Sequence, residues 1–119
     1  LLSYRGDLIL AADESVQTSS DLLGLQHKYQ VINIKLDKTG GLTEALNLAH
    51  NALKMGFRLM VGNMCGSSLA MAPGLVIAQH CDYVDLDGPL LQSEDVTPCL
   101  HYKNGQIFID KTAHLWGNI

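Results

Sequence analysis

The chain has 119 residues, of which 47% are hydrophobic and 17% are charged, and its formal net charge is −4. This length argues for one domain or part of one, and the composition excludes a disordered tail, a collagen-like repeat and a coiled coil. The acidic balance offers no cationic surface for a phosphate backbone, and no apolar run reaches the roughly 18 residues of a membrane span. We therefore expect no nucleic-acid partner and no membrane partner.

The three cysteines, Cys65, Cys81 and Cys99, are an odd number and show no CxxC spacing. This usage favours reduced thiols over a disulfide framework or a zinc site, and predicts a cytoplasmic protein. The chain starts at Leu1 without an initiator methionine, so we expect it to be a fragment of a longer product.

Short β-rich runs alternate with helical patterns along most of the chain. The β-rich runs cover residues 8–12, 31–36, 58–61 with an extension to 64, and 83–86. The helical patterns start at Ser19 or Ser20, at Thr43, and at Ser67 or Ser68, with Pro73 as a kink or a first turn in the third. Strand starts about 25 residues apart predict parallel strands in a βα array.

The βα pattern changes after Pro89. Residues 100–103 and 106–109 flank Asn104-Gly105, which is typical of a β-hairpin with a type I′ turn. We therefore predict two units, a βα array over residues 1–99 and a hairpin with its tail over residues 100–119.

Candidate site residues follow the predicted strands, because ligands bind at the carboxyl ends of parallel strands in βα folds. Asp13 follows the first strand, where it is either an oxygen ligand for a hard cation or a loop acid. Lys35 ends the second strand between two apolar neighbours. Burial disfavours the ammonium form of a lysine, so Lys35 is either a base or a surface lysine at a strand end.

Two aspartates end the fourth strand. Asp85 and Asp87 are two residues apart, so both side chains face the same way while Leu86 faces the other. Two adjacent carboxylates need a cation, which is either a metal ion or a substrate ammonium group, unless the strand end is simply solvated.

Three segments together resemble a known family. They are ADES at residues 12–15, NIKLDKTGGL at residues 33–42 and DLDGP at residues 85–89. Their order and spacing are similar to the enolase superfamily, within it to the muconate-lactonizing subgroup, and most of all to the L-Ala-D/L-Glu (dipeptide) epimerases.

The resemblance implies a fold and a set of roles. The fold is a partial (β/α)8-type barrel, strands five to eight of the superfamily's barrel, followed by the hairpin. Asp13 matches a ligand of the catalytic Mg²⁺, and Lys35 matches the catalytic base. Asp85 and Asp87 match the pair that binds the α-ammonium group of a dipeptide substrate.

Several family features have no counterpart in this sequence. The capping domain, the KxK motif and the other two carboxylate ligands are missing, and residues 110–119 lack the Pro-Gly-Leu-Gly type of ending. We therefore expect weak or absent Mg²⁺ binding and an inactive chain, which assembles as a homo-oligomer or with a complementing N-terminal half.

Two alternatives remain open. One is a muconate cycloisomerase or o-succinylbenzoate synthase type of fragment, although the pair Asp85 and Asp87 argues for a substrate with an ammonium group. The other is a non-catalytic half-barrel that associates with itself through its open sheet edges.

Overall fold

A four-stranded parallel sheet forms the centre of the structure. The computed structural model describes residues 7–109. Its strands β1 (Ala11–Ala12), β2 (Val31–Ile34), β3 (Arg58–Val61) and β4 (Tyr83–Val84) pair in that order, and every pairing is parallel. The predicted βα array with parallel strands is thereby confirmed.

Within residues 7–109, five α-helices connect or follow these strands. They are α1 (Leu22–Leu25), α2 (Leu36–Thr39), α3 (Leu42–Lys54), α4 (Ser68–Met71) and α5 (Gly74–Ala78). Turns of 3₁₀-helix, Ser19–Asp21 and Gly88–Leu91, precede α1 and follow β4.

The core lies between the sheet and the long helix α3. All four residues of β2 are buried, as expected for a parallel strand with neighbours on both sides. One face of α3 is buried against this sheet, at Ala45, Leu48, Ala49 and Ala52. Their i, i+3, i+4, i+7 spacing is that of an amphipathic helix, so α3 fixes the position of β2 and β3.

The strands are shorter than the apolar runs that predicted them. β1 begins at Ala11 rather than at residue 8, and Leu8 and Ile9 are exposed. β2 ends at Ile34 because Lys35 starts the short helix α2, which Gly40 ends in a left-handed conformation with φ of 74°. The predicted extension of β3 to residue 64 and of β4 to residue 86 was likewise wrong.

The first two helix starts differ from the prediction, whereas the third pattern starts after Ser67 as predicted. Thr18 precedes the first helical turn, where the Asp21 carboxylate accepts hydrogen bonds from the Thr18 and Gln17 N–H groups. The second predicted helix is α3, which follows Gly41 rather than Thr43. The third pattern forms two helices, α4 and α5, with Pro73 at the start of α5.

The C-terminal hairpin is confirmed. It consists of β5 (His101–Lys103) and β6 (Gln106–Phe108), which are antiparallel. Asn104 and Gly105 both have positive φ, as a type I′ turn requires. The Tyr102 hydroxyl donates to the Leu86 carbonyl at 2.7 Å, so the hairpin packs beside β4.

The division into units 1–99 and 100–119 stays a prediction. Leu100, the first residue of the second unit, is buried in the core of the array. The predicted tail at 110–119 and residues 1–6 lie outside the described residues. Across positions 7–109, no helix combines the length and the apolarity needed to cross a membrane.

Candidate active site

The carboxyl ends of the parallel strands open onto one edge of the sheet. Asp13 follows β1, Lys35 follows β2, Gly62 follows β3 and Asp85 follows β4. In βα folds this edge is where ligands bind. The predicted site residues therefore share the edge at which a reaction would take place.

Asp13 and Lys35 form an ion pair across the first two strands. Lys35 Nζ lies 2.9 Å from Asp13 Oδ2 and 3.8 Å from Glu14 Oε1. The Lys35 side chain is only 12% exposed. The structure thus brings the predicted metal ligand and the predicted base into direct contact.

A second lysine holds the same carboxylate. Lys38 Nζ donates to Asp13 Oδ1 at 2.8 Å, to the Asp13 main-chain oxygen at 2.5 Å and to the Asn33 main-chain oxygen at 3.3 Å. Its side chain is 7% exposed, so this ammonium group is more buried than that of Lys35.

The two lysines determine the ionisation of Asp13. Partial burial acts to raise the pKa of the Asp13 carboxyl, but the hydrogen bonds and charges of Lys38 and Lys35 outweigh it, and the pKa is lowered. Asp13 is therefore a carboxylate at neutral pH, as a ligand for a hard cation has to be.

Asp85 and Asp87 lie beyond the end of β4, and Leu86 between them is 3% exposed. Leu86 packs in the core, while both carboxylates are exposed. Asn63 Nδ2 donates to the Asp85 main-chain oxygen at 2.6 Å and links this segment to the loop after β3. The alternation predicted for this pair is present, although both residues lie outside the strand.

The electrostatics of Asp85 reflect its neighbours. Burial and then the charge and hydrogen bond of Asp87 raise the pKa of the Asp85 carboxyl, while the charge of Lys35 acts in the opposite direction. No ion pair within residues 7–109 joins Lys35 to either aspartate. Lys35 therefore does not neutralise the Asp85 and Asp87 carboxylates by direct contact, and these carboxylates are available to a bound cationic group.

The surface beneath Lys35 is shaped by a glycine. A Cβ atom at Gly62 would lie 2.7 Å from Asn33 Oδ1 and 3.2 Å from Lys35 Cε. Asn33 is 5% exposed and its Oδ1 has no hydrogen-bond partner within the part of the chain that the structure describes. Gly62 thus leaves the space that the side chains of Asn33 and Lys35 occupy.

Sequence reasoning did not single out Lys38 or Asn33. Both occur in the segment that carries the family resemblance, and Asn33 shares a strand face with Lys35 because it is two residues away. That spacing was a usable signal for Asn33. The burial of Lys38 follows from the path of α2 and had no such signal.

Asp13 fits one position in the coordination sphere of a divalent cation. Mg²⁺ prefers oxygen ligands and takes about six of them. Within residues 7–109, no group of three or more His, Cys, Asp or Glu side chains could hold a metal ion. The donor chemistry at Asp13 agrees with Mg²⁺, and the other oxygens would come from water or from outside this range.

Comparison with known proteins gives a consistent picture. The family model described as enolase C-terminal domain-like matches residues 2–112. An N-acetyl-D-glutamate racemase from Pseudoalteromonas sp. is 52% identical over 98% of this chain, which covers 37% of that protein. An L-Ala-D/L-Glu epimerase from Escherichia coli strain K12 is 45% identical over 92% of this chain, which covers 34% of it.

Solved structures agree with these relatives. An enolase family member from Agrobacterium tumefaciens with homology to dipeptide epimerases contains bound sodium and L-Ala-L-Glu. It superposes with a TM-score of 0.87 at 47% identity over 92% of this chain and 34% of its own. A dipeptide epimerase from Methylococcus capsulatus, complexed with Mg and L-Arg-D-Lys, has a TM-score of 0.78 at 33% identity, over 88% of this chain and 32% of its own. The chain thus spans about a third of the length of the proteins that it matches.

Proposed function

Because this chain belongs to the enolase superfamily, we propose that it forms the C-terminal part of the barrel of a metal-dependent dipeptide epimerase. The reaction is a 1,1-proton transfer at the α-carbon of a dipeptide such as L-Ala-D/L-Glu. The observation that carries this proposal is the pairing of Lys35 with Asp13 at 2.9 Å, on the sheet edge that Asp85 and Asp87 share.

Lys35 is the proposed base. Removal of the proton next to a carboxylate builds up negative charge on that group, and a bound divalent metal supplies Lewis-acid stabilisation of this charge. Lys35 acts in its neutral amine form, takes the proton on one face of the α-carbon and becomes an ammonium group. Epimerisation also needs a proton donor on the opposite face, which this proposal assigns to a part of the protein outside residues 7–109.

Asp13 is the proposed metal ligand, and Asp85 and Asp87 are the proposed binding site for the substrate's α-ammonium group. Burial, and then the neighbouring Asp87, raise the pKa of the Asp85 carboxyl. A cation placed between the two carboxylates stabilises their ionised forms, which supports the second assignment. A dipeptide with a free amino terminus provides such a cation.

The test is α-proton exchange on L-Ala-D/L-Glu in deuterated buffer, followed by NMR, with the complete product of the gene that carries this sequence. We expect exchange by the unaltered protein and a loss of about 10²–10⁴-fold in Lys35→Ala, the usual contribution of a positioned acid–base group. Lys28→Ala is the control, because Lys28 is exposed. Undiminished exchange in Lys35→Ala contradicts the assignment of the base.

A second candidate is racemisation of an N-acylglutamate, favoured by the N-acetyl-D-glutamate racemase among the relatives. N-acetylglutamate lacks the ammonium group of a dipeptide, so the double variant Asp85→Asn, Asp87→Asn separates the two functions. Loss of exchange on the dipeptide alone supports dipeptide epimerisation. Exchange on N-acetylglutamate that exceeds exchange on the dipeptide and is unchanged in the double variant supports the N-acylglutamate function.

The isolated 119-residue chain is proposed to be inactive. One carboxylate leaves Mg²⁺ almost as hydrated as in bulk water, so we expect weak binding at best in calorimetry. A micromolar Mg²⁺ site on this chain, or α-proton exchange by it without an added N-terminal half, contradicts this part of the proposal.

A further inference from the structure

Lys38 is the most enclosed ammonium group at the candidate site. Its side chain is 7% exposed, against 12% for Lys35. The ammonium group has three N–H donors and three oxygen acceptors around it, two on Asp13 and one on Asn33. Its hydrogen-bonding capacity is therefore fully used by the protein itself.

These contacts join the ends of two strands. Asp13 follows β1 and Asn33 lies in β2, and Lys38 bonds a main-chain oxygen of each. Lys38 itself is held in α2, where its N–H donates to the Lys35 carbonyl at 3.0 Å. Lys38 is thus held at its main chain by α2 and at its ammonium group by Asp13 and Asn33. From this position it holds Oδ1 of the Asp13 carboxylate.

Lys35 contacts Asp13 in a different way. Its only hydrogen bond among the described residues goes to Asp13 Oδ2 at 2.9 Å, and Glu14 lies farther away at 3.8 Å. A cation that binds Oδ2 competes with this one bond and does not touch the three bonds of Lys38. Lys35 is therefore held at Asp13 by a single hydrogen bond, whereas Lys38 is held at the site by three.

We propose that Lys38 is a positioning residue, which fixes Asp13 through Oδ1 so that Oδ2 is presented to a divalent cation. Lys35 is the partner that the cation displaces. This inference rests on the proposed function only for the identity of Asp13 as a metal ligand.

Charge and position predict opposite effects of removing Lys38. A positive charge beside a metal ligand repels the metal, so the loss of that charge alone strengthens cation binding. The loss of the group that orients the ligand weakens cation binding. Removal of a residue that holds a metal ligand in place typically lowers metal affinity by about 10- to 100-fold, and we expect a change in that range here. The sign of the change therefore decides between the two roles.

The experiment uses Mn²⁺ as the probe on the complete gene product, with the free ion measured by electron paramagnetic resonance. We expect Lys38→Met to weaken Mn²⁺ binding by about tenfold or more. Lys38→Arg restores part of the affinity, because the guanidinium group can still donate to Asp13. Lys35→Met binds Mn²⁺ as tightly as the unaltered protein or more tightly, and the exposed control Lys28→Met is unchanged.

A second readout separates positioning from general damage. Excess Mn²⁺ should restore most of kcat in Lys38→Met, since the ligand is still present, and none in Lys35→Met. Circular dichroism and thermal unfolding establish that the variants fold, and if Lys38→Met does not, Lys38→Gln takes its place with the same expected weakening.

The inference is overturned if the Lys38 variant binds Mn²⁺ as well as or better than the unaltered protein, or if the unaltered protein binds no Mn²⁺ at millimolar concentration. Its failure is distinct from failure of the proposed function. If the order of Mn²⁺ affinities holds and no dipeptide undergoes α-proton exchange, the role of Lys38 stands and the epimerase proposal falls.

Discussion

Gly62 follows β3, and the side chains of Asn33 and Lys35 lie next to the position that a Cβ atom of residue 62 would occupy. Its Cβ position would be 2.7 Å from Asn33 Oδ1, a separation that non-bonded atoms do not tolerate. Any side chain at residue 62 therefore has to move Asn33 and Lys35, and Lys35 is the proposed base. This single position couples packing in the sheet to the geometry of the site.

We predict that Gly62→Ala destabilises the protein by about 1–3 kcal/mol, the usual cost of overpacking, and lowers activity. Gly24→Ala is the matched control, because nothing lies within 4 Å of its Cβ position in α1. That variant should be neutral or more stable by up to about 1 kcal/mol. Urea unfolding measures both, and equal stabilities of the two variants would show that Asn33 moves aside freely.

The sequence predicts that several candidate residues meet at one edge of the sheet, and it does not predict the contacts of Lys38, for a physical reason. Asp13, Lys35 and Asp85 were predictable because strand ends converge wherever the strands are parallel. Lys38 was not, since a lysine in the first turns of a helix is usually solvated. Its burial depends on how α2 folds back over the end of β1, which no local pattern records.

At the scale of elements, a distant acid holds the start of α4. The Asp95 carboxylate accepts hydrogen bonds from the Ser68 N–H and hydroxyl, and the Ser68 hydroxyl oxygen accepts from the Leu100 N–H at 2.9 Å. Ser68 is fully buried. This cluster joins α4 to the segment before the hairpin at two points, Asp95 and Leu100, through the one side chain of Ser68.

We predict that Ser68→Ala costs about 1–3 kcal/mol, because it leaves the buried Leu100 N–H without its acceptor. Ser67 precedes α4 and makes no side-chain capping bond, so Ser67→Ala should stay within about 0.5 kcal/mol. The measurement is the thermal unfolding of Ser68→Ala and of Ser67→Ala. A larger loss in Ser67→Ala would mean that local capping, not the Asp95 cluster, stabilises α4.

The same cluster predicts a dependence on pH. Burial acts to raise the pKa of Asp95, but its hydrogen bonds from Ser68 and Val96 outweigh it and lower the pKa. A carboxyl with a lowered folded pKa stabilises the protein above its unfolded pKa, about 4, and loses that contribution as pH falls through the folded value. The stability difference between the unaltered protein and Asp95→Asn should therefore shrink with acidification. If urea unfolding gives the same difference in the free energy of unfolding between these two proteins from neutral to acidic pH, the prediction is wrong.

Element order was predictable, whereas element length was not. The hairpin followed from Asn104-Gly105 alone, because few residues adopt two successive positive φ angles. The strands came out shorter than their apolar runs because pairing, not hydrophobicity, defines a strand. Leu8 and Ile9 are apolar and have no ladder partner among the described residues.

At the scale of the whole molecule, the sheet of residues 7–109 has β1 and β4 at its edges. Apolar side chains lie along both. Leu8 and Ile9 are 68% and 54% exposed beside β1, and Val84 is 48% exposed in β4. Parallel strands are normally covered and paired on both sides, so these edges are suited to receive further strands.

We predict that the 119-residue chain by itself associates through these edges, as a dimer or a larger oligomer. A lysine on an edge strand opposes such pairing, because its charge has to be desolvated. Val84→Lys should therefore shift the chain toward the monomer in light scattering over a range of concentrations. Leu23→Lys is the matched control, since Leu23 is 78% exposed and lies in the helix α1 rather than in an edge strand. If the unaltered chain is a monomer at high concentration, or if both variants dissociate it equally, edge pairing does not hold the assembly together.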